Sequence, residues 1–445
     1  MANISRRRFL KSAAGTGMAG FAALHGMGCA SFAQISAGLG EGAYGPLERA
    51  GPDLKLPPGF QYKKFSLAGS IMSDGYPVPQ AHDGMAAFPM ENGNIRLIRN
   101  HEVAGRPRDY PIITGVYDPL TGGGTTSLEV DPVTREVVRE FTSLAGTAVN
   151  CAGGPTPWGT WLSCEEIVVG PRSGVASPHG YVFEVSAAAE EFLPPRPLKG
   201  LGRFIHEAAA VDPQTSIVYL TEDQIRAGFY RFVPEQPARN DESADLAAGG
   251  RLEMLAIDGA PKLSLNSGRT VGEVLVAKWV PIWDPDPADA AKTPASVFRQ
   301  GWGQGAAMFS RIEGCFYGDR GIYFSCTHGG DVECGQIWHY QPAEADWGLL
   351  KLVFESPTPS ILESPDNICV SPRGGVVITE DGEYGNSIRG LTPDGKMFDF
   401  AENVANRSEL AGPTFSPDGQ TLFVNIQRGP GATYAIWGPW EDGGL

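Results

Sequence analysis

Six clusters of polar and acidic residues recur along the chain, each set at the two ends of a short apolar hairpin. They run from His82-Asp83 to His101-Glu102, from Asn150 to Cys164-Glu165-Glu166, and from His206-Glu207 to Glu222-Asp223. The next run from Glu313 to Cys326-Thr327-His328, from Asp366-Asn367 to Glu380-Asp381 and, most weakly, from Ala411 to Asn425. Clustered carboxylates are metal-ligand chemistry. Two of them about 4 Å apart repel by roughly 4 kcal/mol at an effective dielectric of about 20, so a ring of them needs protons or cations. Hard oxygen donors in variable geometry favour calcium. Cys164, directly before Glu165 and Glu166, adds a soft donor that calcium does not use and that selects iron, zinc or copper. A buried cysteine at a strand end is the plain structural alternative for Cys164, and small core residues are the reading for the other cysteines. Arg311 is the one cation the sequence sets beside these acids.

Hairpins are the elements that gather such residues. A hairpin returns its second strand to the end where the first began, so both polar ends of each copy lie on one side. The turns are marked by Asn92-Gly93, Thr156-Pro157-Trp158-Gly159, Asp212-Pro213, Gly318-Asp319-Arg320-Gly321, Ser371-Pro372-Arg373-Gly374 and Ser416-Pro417-Asp418-Gly419. Pro presets φ at one turn position and Gly supplies positive φ at another. Runs such as Ile217-Val218-Tyr219-Leu220 and Thr421-Leu422-Phe423-Val424 are too short for helices and rich in strand formers. Repeats at this spacing predict an all-β fold, a six-bladed β-propeller whose polar ends converge on one mouth. The step from Glu207 to Glu313 is about twice the others. It reads as an insertion, a loop over about 234–300 rich in Ala, Asp, Pro and Glu, with a seventh, degenerate blade as the alternative.

The 445 residues include 58 Gly and 36 Pro, as many short strands and turns require, and a propeller absorbs that length in one domain. The expected organisation is a signal peptide over 1–33, a linker over 34–50 and a single propeller over 51–445. Ser5-Arg6-Arg7-Arg8-Phe9-Leu10-Lys11 is a twin-arginine export signal, followed by an apolar stretch from Ala13 to Leu24 that is too short to span a membrane. Ser31-Phe32-Ala33 suits cleavage, and Cys29 offers a lipoprotein alternative. That route predicts a periplasmic or secreted protein exported already folded by the twin-arginine machinery. Removing residues 1–33 takes away four positive charges and no acid, so the net charge moves from -16 to -20. Such a body excludes nucleic acid and anionic membranes as partners of its overall field. A monomer is expected. Cys326 and Cys334 are close enough in sequence to form a disulfide in an oxidising compartment.

Other chemistries are poorly served. The chain has no GxSxG elbow and no Walker loop, and its seven histidines show no HxH or HExxH spacing. The Gly-rich run Thr121-Gly122-Gly123-Gly124-Thr125 lacks the strand–loop–helix setting of a phosphate loop.

The segment Gly153-Gly154-Pro155-Thr156-Pro157-Trp158-Gly159-Thr160-Trp161-Leu162-Ser163-Cys164-Glu165-Glu166 resembles the hallmark of the PhoX-type alkaline phosphatases. In the same order follow matches at Asn100-His101-Glu102, Gly202-Arg203-Phe204-Ile205-His206-Glu207, Thr221-Glu222-Asp223, Arg311-Ile312-Glu313-Gly314 and Ser364-Pro365-Asp366-Asn367, together with the export signal. The resemblance covers roughly residues 50–440. It implies a six-bladed propeller that hydrolyses small phosphomonoesters with an iron–calcium cluster. In such a cluster two ferric ions share an oxo group with calcium, with two or three calcium ions in all. The matching positions imply Cys164, Glu207 and Glu313 as iron ligands, with Glu165, Glu166, Asp366, Glu380 and Asp381 shared between iron and calcium. Arg311 and Asn150 are implied to hold phosphate oxygens. The chain is shorter than typical members, and its inter-blade loops look trimmed.

Two further readings stay open at this point. A calcium-dependent propeller lactonase or esterase would use Asn150, Asn367 and Asn425 and would have no need of a thiolate. A non-catalytic calcium-stabilised propeller would bind a partner or glycan, with Trp279, Trp283, Trp302, Trp338 and Trp347 as candidate contacts.

Overall fold

In the computed structural model the described residues are 44–105, 113–239, 242–344, 346–382 and 386–445. The expected signal peptide, with Cys29, lies outside them. The body is an all-β propeller, and each of the six sequence repeats is the inner strand pair of one unit. The inner strands are His82–Pro89, Asn150–Pro155, His206–Val211, Ile312–Gly318, Pro365–Val370 and Leu410–Phe415. Each packs against the next, and Leu410–Phe415 packs back on His82–Pro89, so the ring closes. Close approach at the axis needs small residues. A Cβ on Gly314 would sit 2.6 Å from the Asp366 carbonyl oxygen, which no real contact allows.

Hydrogen bonding groups the described strands into five sheets, although their inner pairs number six. The reason lies in the long step between Glu207 and Glu313. The stretch expected as a loop over 234–300 contains two strands, Asp245–Ile257 and Val274–Pro281. Asp245–Ile257 is the outer strand of the third unit, and Val274–Pro281 pairs with it on one side and with Trp347–Glu355 of the fourth unit on the other. That one strand fuses two units into a nine-stranded sheet among the described residues. Helix Ser296–Gly303 follows it and buries Val297 and Phe298. Fusion also joins the apolar cores: Phe229 of the third unit stacks on Phe324 of the fourth, with ring centroids 4.4 Å apart.

The chain ends close the ring. Gln61–Phe65 pairs with Ala432–Trp437 and completes the last unit, so the first part of the body supplies the outer strand of its final part. Leu54–Leu56 caps the fifth unit on Met397–Asn403. Before it, within the stretch expected as linker, Glu48–Arg49 pairs with Lys55–Leu56. The Tyr44 hydroxyl donates to the main-chain oxygens of Trp440 and Leu445. Tyr44 thus joins a core with Phe60, Phe398, Phe400 and Trp440.

Candidate metal centre

One backbone device repeats in all six units and aims side chains at the axis. The first residue of each inner strand pairs with the last residue of its hairpin partner: His82 with His101, Asn150 with Glu165, His206 with Glu222, Ile312 with Cys326, Pro365 with Glu380 and Leu410 with Ile426. Just beyond this pair, or one pair later in the sixth unit, each of the six ladders loses register in a β-bulge. A bulge breaks the alternation of faces and re-aims a side chain, which is why bulges collect at functional sites. The residues at this point are Asp83, Cys151, Glu207, Glu313, Asp366 and Ala411. A second ring follows the last residue of the second strand: Glu102, Glu166, Asp223, Thr327, Asp381 and Gln427. Each of these donates its main-chain N–H to the carbonyl of the residue preceding the inner strand, namely Ala81, Val149, Ile205, Arg311, Ser364 and Glu409. Arg311 holds this position at φ 45°, in the left-handed region that side chains rarely adopt.

Residues of these rings, with Arg428, enclose a cavity of about 380 Å³. Its walls are Asp83, Glu102, Cys151, Glu166, Arg311, Glu313, Thr327, Asp366, Asp381, Glu409, Gln427 and Arg428. Three donor groups have ligand atoms that all lie within 4.8 Å of one another: Cys151, Glu166 and Glu207; Glu207, Glu313 and Asp366; and Asp83, Glu102 and Glu409. Glu207 belongs to two of them. It is fully buried, and neither carboxylate oxygen has a hydrogen-bond partner among the described residues. An ionised carboxylate left this way costs several kcal/mol or more, so the geometry fits a cation between these groups.

Without cations the electrostatics are unfavourable to charge. Burial, then Glu313 and Glu166, pushes the Glu207 carboxyl well above the usual range. Burial with Asp223 and Asp366 does the same to Glu313, and burial with Glu102 and Glu409 to Asp83. Glu166 and Asp366 follow for the same causes. Glu409 is pushed up to about 8 by burial and by Asp381. Burial and the charges of Asp83 and Glu207 raise the Cys151 thiol.

Two cations lie on the wall. Arg311 donates from Nε and Nη2 to the two carboxylate oxygens of Asp223, both at 2.9 Å, and Nη2 lies 2.7 Å from Glu313. No bond from Nη1 is found among the described residues, and Arg311 lines the cavity. Arg428 pairs with Glu102 at 2.9 Å.

The sequence-predicted residues divide sharply. Glu166, Glu207, Glu313, Asp366, Asp381 and Arg311 converge on the mouth. Cys164, Glu165, Glu380 and Asn150 do not. Cys164 is packed with Leu162, Val182, Ala209 and Leu220 in an apolar cluster. Its counterparts in the other units are Asn100, Thr221, Ser325, Thr379 and Asn425, which donate to inner-strand carbonyls instead. Cys164 therefore stands in a row whose other members, Thr379 apart, tie one unit to the next. Glu165 folds back into its own unit. Its oxygens accept from the N–H groups of Ala148, Gly180 and Tyr181, and His179 lies 2.6 Å away. Glu380 is held by Arg389 and the N–H of Glu363. Glu222, at the same position of the third unit, accepts from Gly228 N–H and the Tyr230 hydroxyl. The last residue of the second strand thus points into the blade, and the residue after it points into the mouth. Asn150 is fully buried between Thr147 and Ser163.

Sequence reasoning missed Cys151 as the thiol of the mouth, together with Glu409, Gln427 and Arg428. A signal for Cys151 was present, because it follows Asn150 as Asp83 follows His82 and Glu207 follows His206. Glu409 and Arg428 lie outside the hairpin copies. All six described cysteines are free, so Cys326 and Cys334 form no disulfide.

Comparison with known proteins follows the same lines. The family described as alkaline phosphatase PhoX matches residues 42–431. Among solved structures, PhoX of Pseudomonas fluorescens, in complex with vanadate as a transition state analogue, superposes with a TM-score of 0.69 at 19% identity, covering 91% of this chain and 99% of that one. A gluconolactonase of Xanthomonas campestris reaches a TM-score of 0.44 at 12% identity, covering 91% and 99%. A virginiamycin B lyase of Staphylococcus aureus reaches 0.41 at 13%, covering 85% and 99%. No curated protein matches the sequence. An all-β propeller with a buried carboxylate and thiol cluster in its mouth, matched over nearly its whole body, belongs to the PhoX family of alkaline phosphatases, metal-dependent hydrolases of phosphomonoesters.

Proposed function

We propose that the mouth holds an iron–calcium cluster, with two ferric ions and two or three calcium ions, and hydrolyses small phosphomonoesters at Arg311. The carrying observation is Glu207, whose two buried oxygens lack a partner among the described residues and lie in two donor groups at once. Cys151 replaces Cys164 as the thiolate, and with Glu166, Glu207, Glu313 and Asp366 it would hold the iron. This mixed soft and hard set suits a transition metal. Asp83, Glu102 and Glu409 offer only oxygen and would hold calcium, with Asp381 beside them. Such ions, when bound, supply Lewis acidity toward a phosphoryl group and activate a nucleophile.

The chain's own residues then have separable tasks. The carboxylates keep the positive charge in place within a body of strongly negative net charge. Asp223 fixes the Arg311 guanidinium in its plane, so Nη1 presents a preset donor to a phosphate oxygen. Arg428 adds a second cation to the wall and orders Glu102. Asp223 and Glu313 hold Arg311 further toward the charged form than burial alone would leave it. Asn150 has no place in the cavity and takes no part. In the reaction water adds to phosphorus, the ester P–O bond breaks, and the alcohol and phosphate leave.

The twin-arginine signal supports export of the folded, loaded protein to the periplasm. No helix among the described residues is long and apolar enough to cross a membrane.

Elemental analysis of the purified protein tests the reading. About two irons with two or three calciums per chain are expected, and Glu207→Gln should lose the iron. Calcium without iron in a folded, wild-type sample would overturn it.

A further inference from the structure

A polar relay runs across the seam where the ring closes, and it ends on a donor residue of the mouth. It begins at Arg99, fully buried on the second strand of the first unit. Arg99 Nη2 pairs with Glu140 at 3.0 Å and donates to Thr126 at 3.0 Å. Its Nη1 crosses the seam, donating to Ser66 Oγ at 2.9 Å and to Thr433 Oγ1 at 2.7 Å. Ser66 follows the closing strand Gln61–Phe65, and Thr433 lies opposite Phe65 on the strand it closes. Thr433 Oγ1 donates to Asn425 Oδ1 at 2.6 Å, and Asn425 Nδ2 donates to the Asp83 carbonyl at 2.7 Å. Thr433 and Asn425 are both fully buried.

Every link donates in the same direction, from the guanidinium through a hydroxyl and an amide to a main-chain oxygen. Such chains strengthen cooperatively in a dry interior. Asn425 is the sixth unit's member of the row that includes Asn100 and Thr221. Among the described residues, that row connects at the seam to a buried ion pair and to the closing strand Gln61–Phe65. Breaking the pair would leave an uncompensated buried charge, so the relay has a strong preference for one arrangement.

We propose that Arg99, Thr433 and Asn425 are positioning residues that couple docking of the closing strand to the cation held by Asp83, Glu102 and Glu409. The inference rests on the reading that this donor group holds calcium. Linkage is reciprocal: if the docked seam holds Asp83 in place for the cation, the cation holds the seam. A merely structural role for Thr433 would change stability and leave that exchange of free energy untouched.

The test uses the full, metal-loaded protein with calcium buffered by chelator. Two quantities are read: the free calcium at half occupancy, and hydrogen exchange of the amides in Gln61–Phe65. In the wild type, lowering calcium should speed exchange in this strand. Thr433→Val, which keeps shape and removes the hydroxyl, should raise the free calcium needed by about fivefold or more and make strand exchange insensitive to calcium. Thr433→Ser, which keeps the hydroxyl, should restore both and guards against a valine variant that does not fold. Unchanged strand exchange on removing calcium from the wild type would overturn the coupling, as would a valine variant with wild-type calcium affinity. Absence of bound calcium in the wild type would overturn the metal assignment itself, a distinct result.

Discussion

The two cysteines of the second unit make opposite predictions from one kind of substitution. Cys151→Ser and Cys164→Ser each replace a buried sulfur by oxygen, thirteen positions apart on paired strands. Cys151 lies within 4.8 Å of Glu166 and Glu207 donor atoms. Serine there removes the one soft ligand, so iron and any thiolate-to-iron absorption should be lost. Losing an outer partner of a metal costs about 10–100-fold in affinity or activity, and losing a ligand should cost more. Cys164 sits in an apolar cluster, with no exposed surface. Serine there buries a hydroxyl that needs a partner, at about 1–3 kcal/mol of stability if none is found. Iron content, colour and turnover per iron should stay near wild type. The assays are elemental analysis, visible absorption and hydrolysis of a chromogenic phosphomonoester, with thermal unfolding as the stability readout. Retained iron in Cys151→Ser with iron lost from Cys164→Ser would refute the geometric argument.

Three further outcomes follow from the same geometry. Arg311→Lys should lower kcat/KM by about 10–100-fold, the worth of one or two charge-assisted hydrogen bonds, with metal content unchanged; steady-state kinetics on the loaded enzyme checks it. The metal-free protein should lose stability as pH rises: Glu409 titrates near 8 when folded against 4.5 in the unfolded chain, so the folded state binds more protons between these values and its advantage is gone above the higher one. Thermal unfolding in chelator from pH 5 to 8 reads this, and a midpoint that rises with pH would contradict it. Gly314→Ala drives a Cβ to 2.6 Å from the Asp366 carbonyl, so adjacent inner strands must part, and both the unfolding temperature and the iron content should fall.

Much of the architecture was legible locally. Asn92-Gly93 and Ser416-Pro417-Asp418-Gly419 announce turns through their own backbone preferences, and strand-forming runs such as Val376-Val377-Ile378 need no partner to be recognised. Acids at hairpin ends imply a common mouth because a hairpin brings its ends together whatever lies around it. That reasoning placed Glu166, Glu207, Glu313, Asp366 and Asp381 correctly on one side. The stretch 234–300 escaped it, since Val274–Pro281 becomes a strand only by lying between two units already folded.

The side to which each residue points was a tertiary matter. Side chains alternate along a strand, so an error of one position turns a ligand into a blade residue. Residue types alone could not separate Glu165 from Glu166, or Glu380 from Asp381, because adjacent acids read alike. The bulge that repeats in all six ladders breaks the alternation just where the donors stand, and no local propensity announces it. Glu409 and Arg428 reach the mouth from loops whose path depends on the closed ring. Composition and turn chemistry thus determined which residue types would gather at one end of a propeller. Register, bulges and ring closure decided which of them face one another across a few ångströms, since those distances exist only between strands far apart in sequence.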